Sequence, residues 1–196
     1  MIVVSLPRAG GTKICMDLAG KNNLKFLGEL IPRNVMPVDT LRYRKDLLHE
    51  TKYEIQITEE EYCAAINGDR SYISLVNSMG SNLTVADADY VVLRKNLKNC
   101  VYSWINYNYK ASSIIGKRYP SAIFKVWIQM LLEYAYGIIV YCTHNKKNII
   151  WYEDYFPDVK TEYNIPNSVK VDIDNEFKQY TFIFSALDNL IAKETL

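Results

Sequence analysis

A loop that could hold an anion follows the first apolar segment of the chain, in the stretch SLPRAGGTK. Gly10 and Gly11 leave backbone amides uncovered, Arg8 and Lys13 bring positive charge, and Thr12 offers a hydroxyl donor. Amides at the start of a helix, with the helix dipole behind them, bind phosphate or sulfate. A plain strand-to-helix turn would account for the glycines but would leave the arginine and the threonine without a purpose. The loop therefore predicts a phosphate- or sulfate-binding site.

The order of residues in this loop differs from that of the ordinary ATP-binding loop. That loop reads GxxxxGK[ST], with the lysine directly before the hydroxyl residue. Here Lys13 follows Thr12. The anion is therefore expected to belong to another class of ligand.

The elements around the loop predict a strand, a glycine turn and a helix, in that order. Ile2–Ser5 is a β-branched run typical of a strand buried on both faces, and Thr12–Leu24 has helical spacing of its apolar residues. Further strands are expected at 72–76, 90–93 and 148–152, and residues 26–30 would either continue the sheet or lead into a loop. Helices are expected at 39–48, 58–66, 97–110, 120–142 and 174–192. Strands that alternate with helices predict an α/β fold with an open, mainly parallel sheet between helices, a P-loop-like three-layer sandwich. Ligands of such sheets bind at the carboxyl ends of the strands, where SLPRAGGTK, LRKNLKN and YEDY would lie.

The composition predicts a single globular domain over residues 1–196, with 49% hydrophobic and 23% charged residues. A net charge of +1 argues against nucleic acid as a partner. The four cysteines and two histidines lack metal-ligand spacing, so no metal site is expected. The chain opens without a signal peptide, and Gln129 and Glu133 interrupt its most apolar later stretch. We therefore expect a cytoplasmic protein without a membrane span.

The segment LPRAGGTKI resembles the 5′-phosphosulfate loop of the sulfotransferases that use 3′-phosphoadenosine 5′-phosphosulfate (PAPS). In that family a strand ends in a PRSGST- or PKSGTT-like turn that opens a helix. Arg8 matches the basic position, Gly10 the shared glycine and Thr12 the hydroxyl position, whereas Ala9 stands where serine is usual. The resemblance implies that the sulfate end of the cofactor is held by Arg8, Ala9, Gly10, Gly11, Thr12 and Lys13.

A second segment, YVVLRKNLKNCVYSW, is similar to the family motif whose arginine and serine hold the 3′-phosphate of PAPS. The usual separation of these two residues is eight. Ser103 follows Arg94 by nine residues and Lys95 by eight, so Arg94 is favoured and Lys95 is a rival. The other interpretation of this segment is a basic helix N-terminus that faces water.

The segment NIIWYEDYF is similar to the VxxYEDL segment found late in many sulfotransferases. The resemblance implies a structural role for Tyr152, Glu153 and Asp154, which would orient neighbouring loops. The three matching segments occur in family order.

The proton of an acceptor hydroxyl requires a base, and the best candidate is Glu29 in FLGELIPRN. This stretch resembles the GEETRVIPR-like segment of the tyrosylprotein sulfotransferases, with Arg33 as the second match. Arg8 would stabilise the leaving group, since its high pKa makes it a poor proton donor. The catalytic lysine of those enzymes has no counterpart in SYISLVNSMGSN, which argues against tyrosine sulfation specifically. Glu29 as an ordinary surface carboxylate is the alternative.

The function that these features predict is transfer of a sulfuryl group from PAPS to a hydroxyl acceptor, leaving adenosine 3′,5′-bisphosphate (PAP). The acceptor would be a sugar, a peptide tyrosine or a small molecule. The alternatives are a P-loop nucleotide kinase or hydrolase with an atypical loop, and a non-catalytic binding protein that retains the fold.

Overall fold

The computed structural model describes residues 1–29, 61, 64, 67, 69–77, 85, 88–115, 121–159, 163, 165 and 167–194. Its strands are β1 Ile2–Ser5, β2 Lys25–Glu29, β3 Tyr72–Asn77, β4 Tyr90–Leu93 and β5 Asn148–Trp151. Its helices are α1 Gly11–Asn22, α2 Lys98–Ile115, α3 Ser121–His144, α4 Tyr152–Tyr155, α5 Asn167–Phe177 and α6 Thr181–Glu194, with a 3₁₀ turn at Lys178–Tyr180.

The strand β1 lies at the centre of a five-stranded sheet whose order is β2-β3-β1-β4-β5. It pairs in parallel with β3 on one side and with β4 on the other. All four of its residues are buried, as expected for a strand covered on both faces. The fold is therefore α/β with an open, mainly parallel sheet flanked by helices.

The connections of the sheet run in opposite directions from β1 and β4. The chain leaves β1 through α1 towards β2 on one side, and leaves β4 towards β5 on the other side. The Leu6 amide donates to the Val92 carbonyl at 3.2 Å, so the two strands end side by side. Open α/β sheets bind ligands outside the carboxyl ends of the strands at such a reversal. The loop after β1 borders this position.

The chain divides into two compact units. One comprises Met1–Val92 with Asn148–Ile150 and contains most of the sheet and α1. The other comprises Leu93–Lys147 with Trp151–Leu196 and contains α2 to α6.

In the second unit, α3 packs against α6. The buried residues of α3 recur at helical spacing, and they are Ile128, Leu131, Leu132, Ala135, Ile138, Ile139 and Cys142. Within the described residues, one helical stretch, Lys125–His144, is long and apolar enough to cross a membrane. Its mean hydropathy is 1.3, and 39% of it is buried. The core helix of a water-soluble protein meets the same criterion, so the expected core role of this helix stays a prediction.

The prediction of one final helix over 174–192 is wrong, because a 3₁₀ turn separates α5 from α6. The buried residues Ile173 and Phe177 are four apart, but the next buried residue, Ile183, comes six later. That interval departs from helical spacing, in agreement with the 3₁₀ turn between the two helices. Tyr152 was expected in the last strand and instead begins α4. The helices predicted at 39–48 and, for the most part, 58–66 lie outside the described residues.

Candidate functional site

The loop after β1 reverses the chain with two residues in the left-handed backbone region. Arg8 has φ 62° and Gly10 has φ 92°. The Ala9 amide closes the turn by donating to the Leu6 carbonyl at 3.0 Å. Glycine adopts this conformation without penalty, whereas at Arg8 it costs roughly 1–2 kcal/mol. Strained backbone of this kind concentrates at functional sites.

The first turn of α1 presents amides before the helical hydrogen bonds begin. The Ile14 amide makes the first of these bonds, to the Gly10 carbonyl at 3.1 Å. The amides of Gly11 and Thr12 precede it and so have no carbonyl acceptor within the helix. No side chain caps this end, and the first turn carries no acidic residue. Amides and helix dipole together suit an anion.

Gly10 and Gly11 are required for different reasons. Gly10 supplies the left-handed φ, while Gly11 lies directly on the sheet. A Cβ at position 11 would be 2.6 Å from the Ser5 Cβ and Oγ atoms and 2.8 Å from the Leu75 Cδ1 atom. Helix α1 therefore starts in van der Waals contact with β1 and β3, which fixes its first turn against the sheet.

The side chain of Ala9, which departs from the serine of the resembling family, is fully buried. A methyl group fits such a position, whereas a serine hydroxyl there would need a buried hydrogen-bond partner. The departure thus has a packing reason.

Cys15, one turn into α1, is a buried thiol. A helix N-terminus usually lowers the pKa of a cysteine, but burial dominates here and raises the pKa of Cys15 well above its ordinary value. Burial therefore favours the protonated thiol over the thiolate.

The turn after β4, defined as Arg94–Lys98, carries three cations that face carboxylates of the same unit. The Arg94 Nη1 atom is 4.0 Å from the Glu153 Oε1 atom. The Lys95 Nζ atom is 2.7 Å from the Asp154 Oδ1 atom, and the Lys98 Nζ atom is 2.5 Å from the Asp174 Oδ1 atom. The charge of this turn is compensated residue by residue.

The Arg94 side chain is 5% exposed, and its guanidinium carbon lies 4.1 Å from the centroid of the Tyr152 ring. A water-facing basic helix N-terminus is therefore the wrong interpretation for Arg94. The Lys95 amide donates to the Glu153 Oε2 atom at 3.0 Å, so α4 holds the backbone of the turn as well. The expected structural role of Tyr152, Glu153 and Asp154 is confirmed.

Ser103 is half-buried in α2, one residue after Tyr102. Burial raises the pKa of Tyr102, Asp174 raises it further and Lys98 opposes the shift, so the phenol stays protonated. Contact of Ser103, Arg94 or Lys95 with a 3′-phosphate stays a prediction.

The backbone of Glu29 ends β2, which is the edge strand next to β3. The register aligns Glu29 with Leu75, and Leu75 with Val3 of β1. Two strand spacings correspond to about 10 Å, and the three further residues from Val3 to Leu6 add about 10 Å along the strand. The sheet therefore does not bring the Glu29 backbone next to the loop that contains Arg8. Its role as a base stays a prediction, and Arg33 lies outside the described residues.

The carboxylate partners of the turn after β4 were not found from the sequence. Sequence patterns indicated Glu153 and Asp154 but not the cations that these carboxylates contact. No sequence pattern indicated that Asp174 contacts a cation of this turn. Among the described residues, no group of three or more His, Cys, Asp or Glu could hold a metal ion.

No family model, curated protein or solved structure matches this chain.

Proposed function

We propose that the protein is a PAPS-dependent sulfotransferase, which transfers a sulfuryl group to a hydroxyl acceptor and releases PAP. The observation that carries the proposal is the loop after β1. The loop contains backbone amides that precede the first hydrogen bond of α1, and its backbone is left-handed at Arg8 and Gly10. It lies where the connections of the sheet change direction, between β1 and β4. Within this proposal the fold is a P-loop-like three-layer sandwich, and the protein is cytoplasmic.

Sulfuryl transfer needs donors for the charge that develops on the sulfate and on the bridging oxygen. We assign this role to the Gly11 and Thr12 amides, the Thr12 hydroxyl and the Arg8 guanidinium. In this proposal the guanidinium acts as an electrostatic stabiliser of the leaving phosphate rather than as a proton donor. Glu29 is the proposed base, and its assignment depends on the sequence resemblance alone.

The test is isothermal titration of the protein with PAP, and with 5′-AMP to detect a preference for the 3′-phosphate. We expect PAP to bind more tightly than 5′-AMP. Arg8→Ala should weaken PAP binding by ten- to one-hundredfold, the equivalent of one charge-assisted hydrogen bond. Arg70→Ala is the matched control, since Arg70 is an exposed arginine of the same unit outside the loop. Absence of PAP binding at millimolar concentration contradicts the proposal.

Two alternatives give different titrations. A P-loop nucleotide kinase or hydrolase would bind ATP with magnesium and show no preference for a 3′-phosphate. A non-catalytic protein that retains the fold would bind neither nucleotide. The compensated charges of the Arg94–Lys98 turn favour this second alternative, because its cations already have carboxylate partners.

A further inference from the structure

The pair of Arg94 and Glu153 combines burial with incomplete hydrogen bonding. The Arg94 Nε atom and the Glu153 Oε1 atom are both buried, and neither has a hydrogen-bond partner. The separation of 4.0 Å between Arg94 Nη1 and Glu153 Oε1 is too long for a hydrogen bond. Buried charged groups normally satisfy their hydrogen-bonding capacity, so this geometry needs an explanation.

The two ends of the pair are held in place by other contacts. The Arg94 guanidinium lies over the Tyr152 ring, and the Glu153 Oε2 atom accepts the Lys95 amide. The two charges are thus held close together, while the Nε donor of Arg94 makes no hydrogen bond. An anion that reached this donor would meet the negative charge of Glu153 beside it.

We propose that Glu153 sets the anion affinity of Arg94, as the internal counter-ion whose attraction an incoming phosphate must replace. This inference rests on the proposed function, because it assumes that the phosphate is the 3′-phosphate of PAP. Glu153 is then a specificity-determining residue that acts through Arg94. It weakens the binding of small anions in general and favours a ligand with further contacts elsewhere.

The test separates the charge of Glu153 from its hold on the backbone. Glu153→Gln removes the charge but keeps an oxygen that can accept the Lys95 amide, whereas Glu153→Ala removes both. We expect Glu153→Gln to tighten PAP binding by about tenfold. The attraction between the Arg94 and Glu153 charges, 4.0 Å apart, is only partly screened, and this variant removes it. Glu153→Ala should gain less, since it also releases the turn.

Asp158→Asn is the matched control for net charge, because Asp158 is an exposed aspartate of the same segment. It should change PAP affinity by less than twofold. In an Arg94→Gln background, Glu153→Gln should lose its effect, which shows that the two residues act together. Circular dichroism checks that each variant is folded. If Glu153→Gln does not fold, Glu153→Asp replaces it, and a smaller gain is expected because aspartate keeps the charge but holds it farther from Arg94.

Each outcome decides between the two proposals. Tighter PAP binding by Glu153→Gln than by a parent that itself binds PAP supports the inference, whereas a parent that does not bind PAP at millimolar concentration contradicts the proposed function and the inference with it. If the parent binds PAP and Glu153→Gln binds equally or more weakly, the inference is wrong and the proposed function stands. If neither protein binds PAP, both are wrong.

Discussion

The loop after β1 and the turn after β4 both lead from a buried strand into a helix, and both contain basic residues. They are built differently. The first depends on backbone geometry, with left-handed residues at 8 and 10 and a glycine at 11 pressed against the sheet. The second depends on side chains, with each cation matched to a carboxylate.

The difference separates two ways of preparing a site for an anion. Backbone amides at a helix start carry their partial charge permanently and need no counter-ion. A buried guanidinium does need one, and Arg94 has it in Glu153 and in the face of Tyr152. Similar sequence patterns therefore describe one loop whose backbone amides carry a permanent partial charge and one turn whose cations lie beside carboxylates.

The largest expected effect compares the two arginines. Arg94→Ala should lower the free energy of unfolding by about 2–3 kcal/mol, because it removes a buried cation–π contact and leaves a carboxylate without its partner. Arg8→Gly should leave stability within about 1 kcal/mol of the parent, since relief of the left-handed strain offsets the added chain entropy. Urea denaturation measures both. Equal losses for the two variants would remove the distinction between the loop and the turn.

A smaller effect is expected at Gly11. Gly11→Ala should destabilise the protein by about 1–3 kcal/mol, because the added methyl collides with Ser5 and Leu75. Gly20 lies in the same helix, and a Cβ there would meet nothing within 4 Å. Gly20→Ala should therefore stabilise by about 0.5–1 kcal/mol through helix propensity. A Gly11→Ala variant as stable as Gly20→Ala would show that helix α1 does not depend on its close start against the sheet.

The smallest effect is expected at the exposed pair of Lys95 and Asp154. A double-mutant cycle with Lys95→Ala and Asp154→Ala should give a coupling free energy below about 1 kcal/mol at low salt. The coupling should vanish at about 1 M salt, where the screening length is only about 3 Å. A coupling that persists at about 1 M salt would show that the Lys95–Asp154 pair is shielded from solvent, as the buried Arg94 is, and is not an exposed surface pair.

Local features of the fold could be predicted from the sequence, and long-range features could not. The strands Ile2–Ser5 and Tyr90–Leu93 were predicted with their observed bounds, because a short apolar run between turn residues is typical of a buried strand. The glycines of the first loop likewise indicated a close backbone turn.

The partners of Arg94 and the position of Glu29 required three-dimensional information. Glu153 follows Arg94 by fifty-nine residues, and no spacing rule connects them. For Glu29, the sequence separation from Arg8 matched the resembling family, but the strand register placed its backbone level with Val3. A one-dimensional separation contains no information on which strand lies between two residues.

The central place of β1 also has a consequence for folding kinetics. Its paired strands lie far along the chain, since Ile2 is aligned with Ser74 of β3 and Val3 with Tyr90 of β4. Parallel pairing at such separations carries a large loop-closure cost and slows folding. During synthesis at about 5–20 residues per second, β1 waits roughly 5–20 s before both neighbours exist. Until then at least one edge of β1 is without its native hydrogen-bonding neighbour.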